Sequence, residues 1–81
     1  MYEHAPHIKI LLLLNNICAT SPERAISIEY ISNYIKEDRE SVLRHIDLLL
    51  KYGYVSKIIK NNSTFLFLTQ TGLLAALSIY S

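Results

Sequence analysis

Eighty-one residues, 51% of them hydrophobic, with only two glycines and two prolines, read as a packed chain and exclude a disordered tail. A chain this short is expected to form one domain, residues 1–81, that hides only about 60% of its unfolded surface, and its apolar excess favours pairing with a second copy. The net charge of +1 neither demands nor excludes a nucleic-acid partner, so the distribution of charge has to decide.

The opening stretch MYEHAPHIK has no basic region, and no small-residue cleavage site follows the apolar run, so no signal peptide is expected. A first helix is predicted from about Pro6, whose missing N–H costs nothing at a first helical position, to somewhere between Asn15 and Ala19. Ile8 and Ile10–Leu14 leave it almost no polar face, and a helix apolar on nearly all sides is buried on nearly all sides. The run falls well short of the ~20 residues a bilayer requires, so no membrane association is expected. Cys18, the single cysteine, cannot close an internal disulfide. A free thiol fits an intracellular, cytoplasmic protein, and the residue reads as a small buried hydrophobe near the helix end. His4 and His7 stand three apart, but a zinc site needs two further ligands at compatible spacing. Nothing brings Cys18 and His45 to them, so no metal and no cofactor is expected.

ATSPERAIS follows as a loop, with a turn at Ser21-Pro22 and a candidate short strand at Arg24–Ile26. Ser27 reads as the N-cap of a second helix. Ile28, Ile31 and Ile35 share one stripe with Tyr34 beside it, while Glu29, Ser32, Asn33 and Lys36 point away. KED breaks the pattern, and Asp38 reads as the next N-cap. The third helix, about residues 39–52, places Val42, Ile46, Leu49 and Gly53 on one side with His45 at the margin, and Glu40, Arg44, Asp47 and Lys51 on the other. Gly53 is the left-handed residue that stops it. Strands are predicted on either side of the polar turn KNNS, about 54–59 and 64–69, closing a hairpin. TQTG ends the hairpin, and Leu73–Tyr80 forms a last apolar helix. Helices two and three are separated by about three residues, a helix-turn-helix connection.

In this order the elements resemble the winged helix-turn-helix DNA-binding domains of small transcriptional regulators, including those of archaea and their viruses. The resemblance covers roughly residues 8–77. It is carried by SIEYISNYI as the positioning helix, DRESVLRHIDLLLKYGYV as the recognition helix running into the first wing strand, and the Leu68-Thr69-Gln70-Thr71-Gly72 step out of the second. KED lacks the glycine often found between the two helices, and KNNS makes a short, mildly basic wing tip. The resemblance implies an α+β fold, a three-helix core with a β-hairpin wing and a short C-terminal helix. It also implies that the recognition helix enters the major groove of double-stranded DNA while the wing, about 54–69, lies on the backbone.

The residues suit that role in different ways. Arg39 and Ser41 sit in the first helical turn, where the dipole and free N–H groups favour a phosphate, and the forked guanidinium of Arg44 suits a guanine edge. Lys36, Lys57 and Lys60 are candidates for neutralising backbone charge. Asn61, Asn62 and Ser63 at the wing tip are candidates for phosphate or minor-groove hydrogen bonds. With Ser27, Glu40 and Lys51 these residues make up the expected DNA-binding surface. Residues 36–60 carry six Lys/Arg against four Asp/Glu, whereas residues 1–35 carry two against three. The opposing reading is a solvated or protein-docking face, because Glu40/Arg44 and Asp47/Lys51 are acid-before-base pairs at i, i+4 that stabilise a helix without any partner. Tyr30, Tyr34, Tyr52 and Tyr54 read as half-buried packing residues with solvated hydroxyls, which favours them less as base-stacking platforms. No nucleophile–base spacing or phosphate-cradling glycine loop is present, so no enzyme activity is expected. Nor is a small-molecule ligand. Ile10, Leu13, Leu14 and Ile17, with Leu73, Leu74, Leu77 and Ile79, are the expected two-fold dimer interface.

Overall fold

The computed structural model describes residues 4–79. Pro6 opens α1 (Pro6–Asn16), and the chain then makes a single 3₁₀ turn (Pro22–Arg24) and a two-residue strand β1 (Ile26–Ser27). α2 (Ile28–Ile35), α3 (Arg39–Lys51), β2 (Val55–Lys60), β3 (Ser63–Leu68) and α4 (Gln70–Ile79) complete it. The strand order is β1-β3-β2, antiparallel throughout, so β3 is the central strand. Ile26 lies opposite Leu66, and Val55 lies opposite Leu68. Val55, Leu66 and Leu68 are buried, while Ile58, Phe65 and Phe67 alternate with them on the other face of the sheet and are half-buried. The core gathers Val55, Leu66 and Leu68 with Ile10, Leu11, Leu13 and Leu14 of α1, Ala19 just after it, Ile28 and Ile31 of α2, Val42, Ile46 and Leu49 of α3, and Ala76 of α4. No charged or polar side chain is buried among the described residues.

Helix boundaries follow cap chemistry. The Ser27 side chain accepts from the Tyr30 N–H at 3.1 Å and that of Asp38 from the Ser41 N–H at 2.9 Å, so each closes an orphan donor in the first turn. Three helices end in the same way. Ala19 N–H reaches the Leu14 carbonyl, Glu37 N–H the Ser32 carbonyl and Tyr54 N–H the Leu49 carbonyl, at 2.9, 3.2 and 3.0 Å. Each is a six-to-one bond of the Schellman type, which requires a left-handed residue just before the donor. Those residues are Cys18, Lys36 and Gly53, with φ of 59°, 59° and 74°. Only the last is glycine.

The structure departs from the sequence-based expectations in several places. Cys18 is exposed, not buried, because the left-handed stop of α1 turns it outward and leaves Ala19 to enter the core. Arg24–Ile26 is not a strand: Pro22 starts the 3₁₀ turn, Arg24 N–H bonds the Ser21 carbonyl at 3.0 Å, and pairing begins only at Ile26. The wing turn is two residues, not four. Asn61 and Asn62 both take positive φ, 50° and 65°, the signature of a type I′ turn, and Lys60 and Ser63 become a strand pair. α4 starts at Gln70, three residues early, because Thr69 caps it by accepting from Gly72 N–H at 3.0 Å. Its predicted end at Tyr80 lies outside the described residues. Ile10, Leu13 and Leu14 are no more than 3% exposed inside one copy, so they fill the core and have no surface for a dimer partner.

Candidate nucleic-acid interface

α3 presents Glu40, Arg44, Asp47 and Lys51 to solvent, opposite its buried stripe of Val42, Ile46 and Leu49. Its N-terminus is built from the helix-turn-helix connection. Lys36 takes the left-handed conformation, Ser32 Oγ donates to the Glu37 carbonyl, and Asp38 caps the helix. The Glu37 carboxylate meets His45 Nε2 at 2.7 Å, half-buried, and ties the connection to the second turn of α3. The Asp38 carboxyl is held below the usual aspartate range, chiefly because it accepts from the Ser41 backbone N–H, then from the Ser41 side chain, with the Arg44 charge adding to the effect. The cap is therefore an anion at neutral pH, on the helix end that favours one.

The expected site residues fall into distinct groups. Arg39 pairs with the Glu29 carboxylate of α2, and Arg44 Nη2 donates to Ser41 Oγ at 3.1 Å. Neither Glu40/Arg44 nor Asp47/Lys51 forms an ion pair among the described residues, so the compensated stripe expected along α3 is not made within that helix. Ser27 uses its side-chain oxygen as the α2 cap. Lys36, Lys51 and Lys57 are exposed. Lys60 folds back: its Nζ donates to the Pro22 carbonyl at 3.4 Å and lies 5.8 Å from the Phe65 ring centre. Asn61, Asn62 and Ser63 form the exposed tip of the hairpin, on a different element from α3. Tyr30, Tyr34 and Tyr52 are exposed, against the half-buried expectation, and Tyr52 stacks on the half-buried Tyr54 with ring centres 5.4 Å apart. Two participants had no signal in the sequence. Glu29 reaches Arg39 across ten residues, and Glu37 reaches His45 across eight, neither spacing being a helical repeat across the intervening connection.

Thr69 ties the residues that follow α3 to the start of α4. Thr69 Oγ1 donates to the Gly53 carbonyl at 2.6 Å and accepts from Gly72 N–H, while Thr69 N–H bonds the Tyr54 carbonyl at 3.0 Å. The Leu-Thr-x-x-Gly step is thus a knot between the end of α3, the base of the wing and the start of α4.

No helix among the described residues is long and apolar enough to cross a membrane. No protein-family model matches the sequence, and no characterised protein matches it by sequence. Solved structures do match by shape. TubR from Bacillus megaterium superposes with a TM-score of 0.87 at 17% identity, over 96% of this chain and 87% of its own. S. aureus MepR in a complex with DNA gives 0.83 at 10% identity, over 95% of this chain and 61% of its own. The transcriptional regulator BldR from Sulfolobus solfataricus gives 0.75 at 18% identity, over 90% of this chain and 50% of its own. The chain spans about half the length of BldR and of several other structures it matches. At these identities what is shared is the architecture: the chain has the winged helix-turn-helix fold, α+β, with β2–β3 as the wing.

Proposed function

We propose that the chain is a double-stranded DNA-binding transcriptional regulator that acts as a homodimer, with α3 in the major groove and the β2–β3 wing against the sugar–phosphate backbone. The observation that carries this reading is the exposed outer face of α3, where Arg44 stands clear of the core one turn from an N-terminus bearing Arg39 and Ser41, and Lys51 is exposed on the same face at the other end of the helix. Arg44, held in place by Ser41, has the forked donor geometry for a guanine edge. Lys36, Lys57, Asn61 and Asn62 add backbone contacts on either side. The likeness of fold to a structure solved on DNA and to a named transcriptional regulator supports the same role. The dimer is supported by apolar surface left outside the core: Leu74 is 63% exposed, and Leu77 and Ile17 are also exposed, while Leu73 and Ile79 pack half-buried against the core. Two copies joined there would present two recognition helices about 34 Å apart, one turn of DNA.

Fluorescence anisotropy on duplexes selected from a random pool tests the reading. Arg44→Ala is expected to weaken specific binding by about 1–3 kcal/mol, and wild-type affinity to fall steeply with log salt as counterions are released. Absence of wild-type binding at low salt defeats the proposal. A second reading, a protein-docking module, is favoured by Glu40 and Asp47 sharing the face of Arg44 and Lys51, since both carboxylates repel phosphate. A stoichiometric protein partner retained at high salt, with no duplex bound, would establish it instead.

A further inference from the structure

The first residue of α3 and the second of α2 meet where the helix-turn-helix connection folds back on itself. There the Arg39 guanidinium is bound by the Glu29 carboxylate, at the rim of a groove of about 200 Å³ that Ile28, Ser32 and Asn33 also line. We propose that Glu29 is a competitor built into the interface, holding Arg39 until a backbone phosphate displaces it, so that this pair sets the strength of DNA binding. The inference rests on the DNA-binding reading above.

Glu29 is not required for either helix cap. Ser27 caps α2 and Asp38 caps α3, while the other carboxylate of the connection, Glu37, is taken by His45. Both members of the pair remain more than half exposed, 54% for the Arg39 side chain and 62% for that of Glu29. A pair this wet exchanges partners at little cost, and phosphate is the same kind of bidentate acceptor for a guanidinium as a carboxylate. The geometry also places the exchange where it matters. Arg39 stands in the first turn of α3, at the positive dipole end of the helix, where the Asp38 carboxylate already takes the Ser41 N–H and the guanidinium is the group left to meet a phosphate. A phosphate arriving there finds its guanidinium already neutralised and a carboxylate next to it. Binding therefore includes the cost of the swap, and it is reduced by whatever the intramolecular pair is worth, a factor of about two to five for an exposed ion pair.

Glu29→Gln, Arg39→Ala and the double variant, titrated with a mixed-sequence duplex at low salt, isolate the pair from simple loss of negative charge. Removing a carboxylate raises affinity in any background; only the competition depends on Arg39 being present. Glu29→Gln is expected to bind about two- to fivefold tighter than wild type, a gain that a damaged fold cannot produce. In the Arg39→Ala background the same change is expected to give distinctly less. The difference should shrink as salt is raised, because exposed charges are screened. An equal gain in both backgrounds, or weaker binding by Glu29→Gln, overturns the inference while leaving the DNA-binding reading intact. A wild-type chain that binds no duplex removes both.

Discussion

Gly72 offers a substitution whose outcome runs against helix propensity. Alanine in place of a helical glycine ordinarily stabilises by about 1 kcal/mol. At Gly72 the added Cβ would lie 1.8 Å from the Tyr54 carbonyl oxygen and 2.7 Å from its carbon, with Leu68 Cδ1 at 3.1 Å behind. A carbon–oxygen contact relaxes only beyond about 3.3 Å, so α4 would have to retreat from the base of the wing by roughly 1.5 Å. Overpacking of this kind costs about 1–3 kcal/mol. The same retreat stretches the Thr69–Gly53 and Gly72–Thr69 hydrogen bonds, now 2.6 and 3.0 Å, each worth about 1 kcal/mol. Less the propensity gain, Gly72→Ala is expected to lose about 2–4 kcal/mol. In urea, with a slope near 1 kcal/mol per molar for so small a chain, the unfolding midpoint should fall by about 2–4 M. Gly53→Ala is the matched control. It has open space around it and only a positive φ of 74° to strain it, for a cost of about 1 kcal/mol. A Gly72→Ala protein as stable as wild type, or less affected than Gly53→Ala, would refute the close approach of α4 to Tyr54.

Three further outcomes follow from the structure. Cys18→Gly and Lys36→Gly each relieve a left-handed side-chain clash and should stabilise by up to about 1 kcal/mol, read as a rise of roughly 4–8 °C in Tm by calorimetry. The Asp38 carboxyl is lowered in the folded state, so its stabilising contribution is present above the unfolded value of about 3.9 and is lost as pH falls through the folded value. Asp38→Asn, which keeps a capping oxygen, should flatten that acid limb of a denaturation-versus-pH series; an unchanged limb would assign it to other carboxylates. Leu74→Glu with Leu77→Glu should convert a dimer to a monomer by light scattering, and a wild-type chain that is already monomeric removes the dimer from the proposal.

What the sequence made legible was local chemistry with a strong rule behind it. Ser27 and Asp38 were readable as caps because a short oxygen-bearing side chain before an apolar stripe has few other uses. Gly53 announced the end of α3 for a similar reason. The identical stops at Cys18 and Lys36 were not legible, since their side chains disfavour the conformation and only the surrounding hydrogen bonds impose it. Ile10, Leu13 and Leu14 could not be divided from Leu74 and Leu77, because a helix apolar on every side carries no periodic signal for which side faces the core. The candidate interface was half readable. Arg44 and Lys51 lie where helical spacing put them, but the Glu29–Arg39 contact depends on how two helices cross, which no spacing encodes.

The Thr69 knot has a mechanical consequence. One hydroxyl and two carbonyls couple the exit of α3 to the entry of α4 through hydrogen bonds of 2.6 to 3.0 Å. A tilt of one helix is therefore expected to strain the hydrogen bonds that hold the other. If, as proposed, the chain pairs through α4 and reads DNA with α3, a mutation at the subunit seam is expected to change the preferred spacing of half-sites without touching a single base.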